Sequence, residues 1–269
     1  MSKKGKLPLP YLLFLLIPAF VVAAAFFKTV SARPTYIFAK VKISQGLWWA
    51  SSNKPNVWFP DSIKKGDIET NFLGQPIAEI LEVRYYTYVS ENTPYEDKFD
   101  IYLTVKLAAD FNKRSQKAIF KRSALSVGSP IELNFPTSSI TGTLIEMSPE
   151  EFNEVYSKKI VYLTKRFAFP WEFEAIKVGD TYFDGSEEVF KVLGKEASNT
   201  AIISADPFGN LSPSFSEPTR YITVKAEIKV KEKGGRLIFG EEKIIVPGTL
   251  ISITTSRFSF QDFVVSKVL

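Results

Sequence analysis

Trp58 with Ile63-Lys64-Lys65-Gly66-Asp67, and Trp171 with Ile176-Lys177-Val178-Gly179-Asp180, are one phrase written twice. Both copies follow W-x4-I-K-x-G-D, and each matched residue lies 113 positions after its counterpart. The glycine suits a tight turn at positive φ, and an aspartate beside it bonds nearby backbone. Gly66, Asp67, Gly179 and Asp180 thus define a repeat. A second phrase follows in each copy: Tyr102-Leu103-Thr104-Val105-Lys106 against Tyr221-Ile222-Thr223-Val224-Lys225. A duplicated module is the simplest organisation that writes both phrases twice.

The modules are predicted to be built of strands. Thr35 to Ile43, Ile77 to Tyr88, Asp100 to Ala109, Lys159 to Phe167 and Tyr221 to Val230 carry the two-residue alternation of a half-buried strand. In the second of these, Ile80, Glu82 and Arg84 are expected on one face, with Leu81, Val83 and Tyr85 on the other. Asn112 to Gln116 and Lys231 to Gly235 are expected hairpin tips, each followed by a return strand bearing Phe120 or Phe239. Val127 to Leu133 and Val246 to Ile253 suggest a turn and then a strand. Gly142 to Met147 and Phe263 to Val268 close the modules. Ser148-Pro149-Glu150-Glu151 has the serine cap, proline and acids of a helix start, so two turns of helix are expected there. The expected organisation is a basic tail (1–6), a transmembrane helix (7–27), a first β-module (28–148), a linker helix (149–158) and a second β-module (159–269). The fold class is mainly β: an N-terminal transmembrane helix, then two repeated small β-barrel or β-sandwich modules.

Composition limits the chemistry. The 269 residues contain no cysteine and no histidine. Disulfides, Fe–S clusters and cysteine nucleophiles are excluded, and the commonest general base and transition-metal ligand are missing. The net charge of +5 includes Lys3, Lys4 and Lys6. The small remainder, spread over two modules, is no nucleic-acid footprint.

Leu7 to Phe27 holds no charge and no amide, which matches the roughly 20 residues a helix needs to cross a bilayer core. The basic residues ahead of it predict a cytoplasmic N-terminus and an extracytoplasmic body, a single-pass cell-membrane topology. A cleaved signal peptide is the alternative, since Val30-Ser31-Ala32 has a small-x-small cleavage pattern. Either way the body leaves the cytoplasm.

Candidate interaction residues are Trp48, Trp49, Phe208, Lys113, Arg114 and Lys117. The tryptophans lie in an aromatic-rich loop, Phe208 in a Pro/Ser-rich loop, and the cations at a hairpin tip. Asp67 and Asp180 could be imagined as a catalytic pair, but turn formation accounts for both. The acidic turn Asp180, Asp184, Gly185, Glu187 and Glu188 lacks EF-hand spacing. No nucleophile elbow or phosphate loop occurs. No catalytic residue, cofactor or metal ligand is assigned.

The run G-D…A-E-I-L-x-V…Y-L-T-V-K-L…F…V-G-S-P-I-E-L…G-T-L-I-E-M, best from Ile63 to Met147, resembles the DUF4330 family of N-terminally anchored bacterial envelope proteins. Ile176 to Val268 matches it less well, with Phe263 where Gly142 stands. Lys65-Gly66-Asp67…Gly74-Gln75-Pro76-Ile77 is similar in rhythm to MCE domains, anchored β-barrels of lipid transport. The first resemblance supplies no catalytic residue; taken with the composition and the anchor, the expectation is a non-enzymatic structural or assembly component of the cell envelope, whose partners are envelope proteins or other copies of itself. The second implies the alternative, a barrel carrying a lipid or glycan ligand.

Overall fold

The computed structural model describes Pro18, Phe20, Val21 and residues 35–43, 55–90, 93–112, 117–199, 202–205, 208–209, 211–214 and 219–269. Each module is one eight-stranded antiparallel sheet with a barrel-like course. The first contains β1 (Thr35–Ile43), β2 (Ile68–Thr70), β3 (Pro76–Ser90), β4 (Thr93–Asn112), β5 (Lys117–Phe120), β6 (Ser123–Ala124), β7 (Pro130–Asn134) and β8 (Ser139–Ser148). Its order is β2-β3-β4-β1-β8-β7, with β5 and β6 extending from β4. The second contains β9 (Tyr156–Ala168), β10 (Thr181–Phe183), β11 (Glu188–Asn199), β14 (Arg220–Lys233), β15 (Arg236–Phe239), β16 (Lys243–Ile244), β17 (Leu250–Ile251) and β18 (Phe263–Val268). Its order, β10-β11-β14-β9-β18-β17, repeats the first strand for strand. A separate hairpin, β12 (Ile202–Ala205) with β13 (Leu211–Ser214), interrupts the second module. Two short helices, α1 (Trp58–Ser62) and α2 (Pro170–Ala175), precede the two W-x4-I-K-x-G-D turns.

The fold class needs one correction. Leu7 to Phe27 lies outside the described residues, apart from Pro18, Phe20 and Val21, which are helical. No helix among the described residues is long and apolar enough to cross a membrane. Crossing takes about 20 helical residues, whereas α1 and α2 have 5 and 6. The described fold is two β-modules without the predicted transmembrane helix.

The predicted linker helix over 149–158 is also absent. Ser148 Oγ does accept the Glu150 N–H at 3.0 Å, as a cap would. The chain then runs irregularly until β9 begins at Tyr156. Tertiary ion pairs override the local helix signal: Glu154 is drawn to Lys40 at 2.5 Å and Lys231 at 3.1 Å, and Lys40 also lies over the Phe152 ring.

A β-bulge revises the predicted face of β3. Ile80 stands opposite Val105, but Glu82 stands opposite Thr104, so Leu81 is the extra residue. Beyond it the faces exchange. Ile80 and Val83 both enter the core, while Glu82, Arg84 and Tyr86 point to the other face. The second module bulges at Leu193, between Val192 opposite Ala226 and Gly194 opposite Lys225. These matched bulges set the true alignment. Leu103, opposite Val41, corresponds to Val224, opposite Leu163. The phrases Tyr102–Lys106 and Tyr221–Lys225 are therefore out of structural register by two residues. An even slip keeps every side chain on its own face, so the sequence similarity survives it.

The interiors are filled. Ile80, Leu103, Val105, Leu107, Ile140 and Leu144 are fully buried in the first module. In the second, Phe258, Phe260 and Phe263 pack at centroid distances of 5.0 to 6.0 Å. Phe263 faces Ile251 where Gly142 faces Ile131 in the first module.

Candidate functional site

The strongest concentration of chemistry lies where the modules meet. Beyond Ile80 the outer edge of β3 is no longer covered by β2. The turn after β10 covers it instead. The Tyr85 N–H donates to the Asp184 carbonyl at 2.7 Å, and the Tyr182 hydroxyl donates to the Tyr85 carbonyl at 2.7 Å. Gly185, at φ +100, lies against the Tyr85 ring so closely that an added Cβ would come within 2.6 Å of it. An open sheet edge is thereby closed by the chain's own second module.

Asp184 is the centre of the junction. It has no exposed surface. Its Oδ2 accepts from Arg84 Nη1 and from the Tyr86 hydroxyl, each at 2.8 Å. Its Oδ1 accepts the N–H groups of Ser186 and Glu187, each at 2.9 Å. Arg84 also reaches Glu82 at 2.7 Å and Glu187 at 3.2 Å, and lies 4.7 Å over the Tyr156 ring. Lys40 and Lys231, from different modules, share Glu154 and Glu241 at 2.5 to 3.1 Å. Lys42 pairs with Glu242, and the Tyr86 ring meets Phe239 edge-on at 5.5 Å. Gly240, at φ +60, lets the chain pass over the Tyr86 ring, where a Cβ would come within 3.1 Å.

Charge pairing outweighs the cost of burial at several of these groups. Burial opposes ionisation of Glu154, but the hydrogen bond and charge of Lys40 outweigh it and hold its carboxyl at about 2. Burial likewise opposes Glu241 and Glu187, yet Lys40 and Lys231 lower the first, and Lys229 and Arg84 the second. Burial would lower Arg84 and Lys231, but their carboxylate partners raise both. Burial raises Tyr86, Tyr102 and Tyr156, keeping their hydroxyls neutral. A cavity of about 480 Å³ opens beside this network, lined by Lys40, Lys65, Arg84, Glu151, Glu154 and Tyr156 among others.

No known relative bears on this junction: no family model, curated protein or solved structure matches the chain.

The repeat-defining turns hold structural roles. Gly66 and Gly179 have φ of +88 and +93. Asp67 Oδ2 accepts the Lys64 N–H at 3.2 Å, and Asp180 Oδ2 accepts the Lys177 N–H at 3.0 Å. Asp67 also meets Thr137, and Asp180 meets Arg257, so each serves its own module. Trp48, Trp49, Lys113 and Arg114 lie outside the described residues. Lys117 is exposed at the start of β5, and Phe208 is exposed in the turn between β12 and β13. Among the described residues no group of three acidic side chains could hold a metal. In the acidic turn, Asp184 and Glu187 face Arg84 instead. Sequence reasoning missed Arg84, Tyr86, Lys40 and Glu241. For Lys40 and Arg84 a clue to burial did exist: each is a charge standing in a strand between apolar or aromatic neighbours.

Proposed function

We propose that this chain is a non-enzymatic structural or assembly component of the bacterial cell envelope, working outside the cytoplasm as a two-module unit. The observation that carries this reading is the edge of β11. It is the counterpart of the β3 edge that the turn at Asp184 closes, yet among the described residues no strand pairs with it beyond Lys191 except β14 on its other side. Its residues Glu196 to Asn199 are exposed. An uncovered edge offers main-chain hydrogen bonds to another polypeptide.

Two further observations support it. General acid–base catalysis needs a group titrating near the working pH, and at the junction Glu154, Glu187 and Glu241 are lowered while Arg84 and Lys231 are raised. A carrier needs an apolar space inside a barrel, and in both modules that space is occupied by side chains. Placement outside the cytoplasm rests on the basic start and the uncharged run of residues 7–27.

Native mass spectrometry of the detergent-solubilised full-length protein tests the proposal. A defined oligomer without bound lipid or sugar is the expected result. A monomer that retains a lipid-sized or sugar-sized adduct would sink it in favour of the carrier.

A further inference from the structure

The turn at Asp184 has a twin in the first module. Asn71 takes the place of Asp184, since Asn71 N–H donates to the Gln75 carbonyl as Asp184 N–H donates to the Glu187 carbonyl. Asn71 Oδ1 accepts the N–H groups of Leu73 and Gln75 at 2.9 and 3.0 Å, much as Asp184 Oδ1 accepts those of Ser186 and Glu187, the first-module turn being one residue longer. The tips differ in kind. Gly185 and Ser186 form the small tip that fits against Tyr85, whereas the first module places Phe72 and Leu73 there. Phe72 is 94% exposed and Leu73 59%. Asn71 shares a cavity of about 350 Å³ with Ala108, Phe120 and Arg122. Tyr36, opposite Ala108 and 38% exposed, lies on the same face, with Lys106 over its ring at 4.4 Å. Lys117 and Arg122 are exposed and carry no ion pair among the described residues.

We propose that this end of the first module docks on an anionic lipid bilayer, with Phe72 and Leu73 entering the headgroup layer and Lys106, Lys117 and Arg122 meeting the lipid charges. The proposal goes beyond the assembly role and does not depend on it. Three observations select this occupant. The twin turn meets the edge of β3 closely because it carries Gly185 against Tyr85, and a Phe-Leu tip cannot repeat that fit. A second copy offers no net acidic match along the open edge of β11, because the exposed Glu196 shares its strand face with Lys225, which stands opposite Gly194. Finally, the chain enters here: β1 starts at Thr35, opposite Ala109, and the uncharged residues 7–27 precede it. Exposed aromatic and aliphatic side chains ringed by cations are what an anionic interface binds.

The absence of cysteine makes a single label unambiguous. Phe72→Cys in the full-length chain would be labelled with an environment-sensitive fluorophore, and Val178→Cys, 61% exposed in the second module, would serve as the control. Both would be reconstituted with vesicles of phosphatidylcholine alone or with added phosphatidylglycerol. The label at 72 is expected to shift to the blue and be quenched by nitroxide lipids on the anionic vesicles only, while the label at 178 stays in water. Replacing Lys117 and Arg122 by glutamine should weaken this insertion about fivefold per charge removed. A label at 72 that stays in water on chains bound to anionic vesicles would overturn the proposal. So would equal insertion into neutral vesicles, or a lipid-free shift that grows with protein concentration, which would mark a protein contact.

Discussion

The turn at Asn71–Gln75 and the turn at Asp184–Glu187 share a fold and a hydrogen-bond pattern, and they have opposite fates. One stands in solvent with a phenylalanine at its tip. The other packs on the edge of β3 with its Asp184 side chain fully buried, while Gly185 and Ser186 stay exposed. Two substitutions of chemistry explain the difference: a carboxylate for an amide at the first position, and a glycine for a bulky tip. The carboxylate gives Arg84 and Tyr86 an acceptor, and the glycine lets the backbone reach the edge of β3. Duplication supplied two kindred turns, and a one-residue difference in length with a few side chains made one of them a joint.

The sharpest way to break this comparison is to remove the cation from the joint. Arg84→Ala leaves Asp184 fully buried without its cationic partner, and breaking a buried pair in this way costs about 3–5 kcal/mol. Denaturant unfolding should show that loss, with the second module's signal separating from the first. Next comes the tip. Gly185→Val places a branched side chain at φ +100 against Tyr85, and overpacking of that kind costs about 1–3 kcal/mol. The thermal midpoint should fall accordingly.

Acid should act more gradually. Glu154, Glu187 and Glu241 ionise more readily in the folded chain than in the unfolded one, so the unfolded chain binds more protons as the pH falls. Stability should be intact above the unfolded glutamate value of about 4.3. It should decline below that and be lost as Glu154 protonates at about 2. Denaturation midpoints measured from pH 6 down to pH 2 would check the direction, and unchanged midpoints would contradict the network. The smallest effect belongs to the exposed twin. Phe72→Ser should change stability by less than about 0.5 kcal/mol, measured under the same conditions as Gly185→Val.

The strands and the duplication were legible because alternation and turn glycines are local signals. Thr35–Ile43, Arg236–Phe239 and Phe263–Val268 lie where the pattern puts them. Local signals also misled. The Ser-Pro-Glu-Glu start implies a helix, but Glu154 gains more from Lys40 and Lys231 than a short helix would return. The bulge at Leu81 exchanges the faces of β3 without leaving a glycine to announce it. The two-residue slip between Tyr102 and Tyr221 was invisible because it preserves the inward set. The joint itself was out of reach. Arg84 and Asp184 are 100 positions apart, and nothing local to either marks them as partners.

On this account the joint makes one cooperative unit of two modules. Differential scanning calorimetry of the full-length protein tests that directly. The account predicts a single transition whose calorimetric enthalpy equals its van't Hoff enthalpy, splitting into two in Arg84→Ala. Two separate transitions in the unaltered protein would mean that the modules unfold independently, and that the buried network at Asp184 does not hold them together.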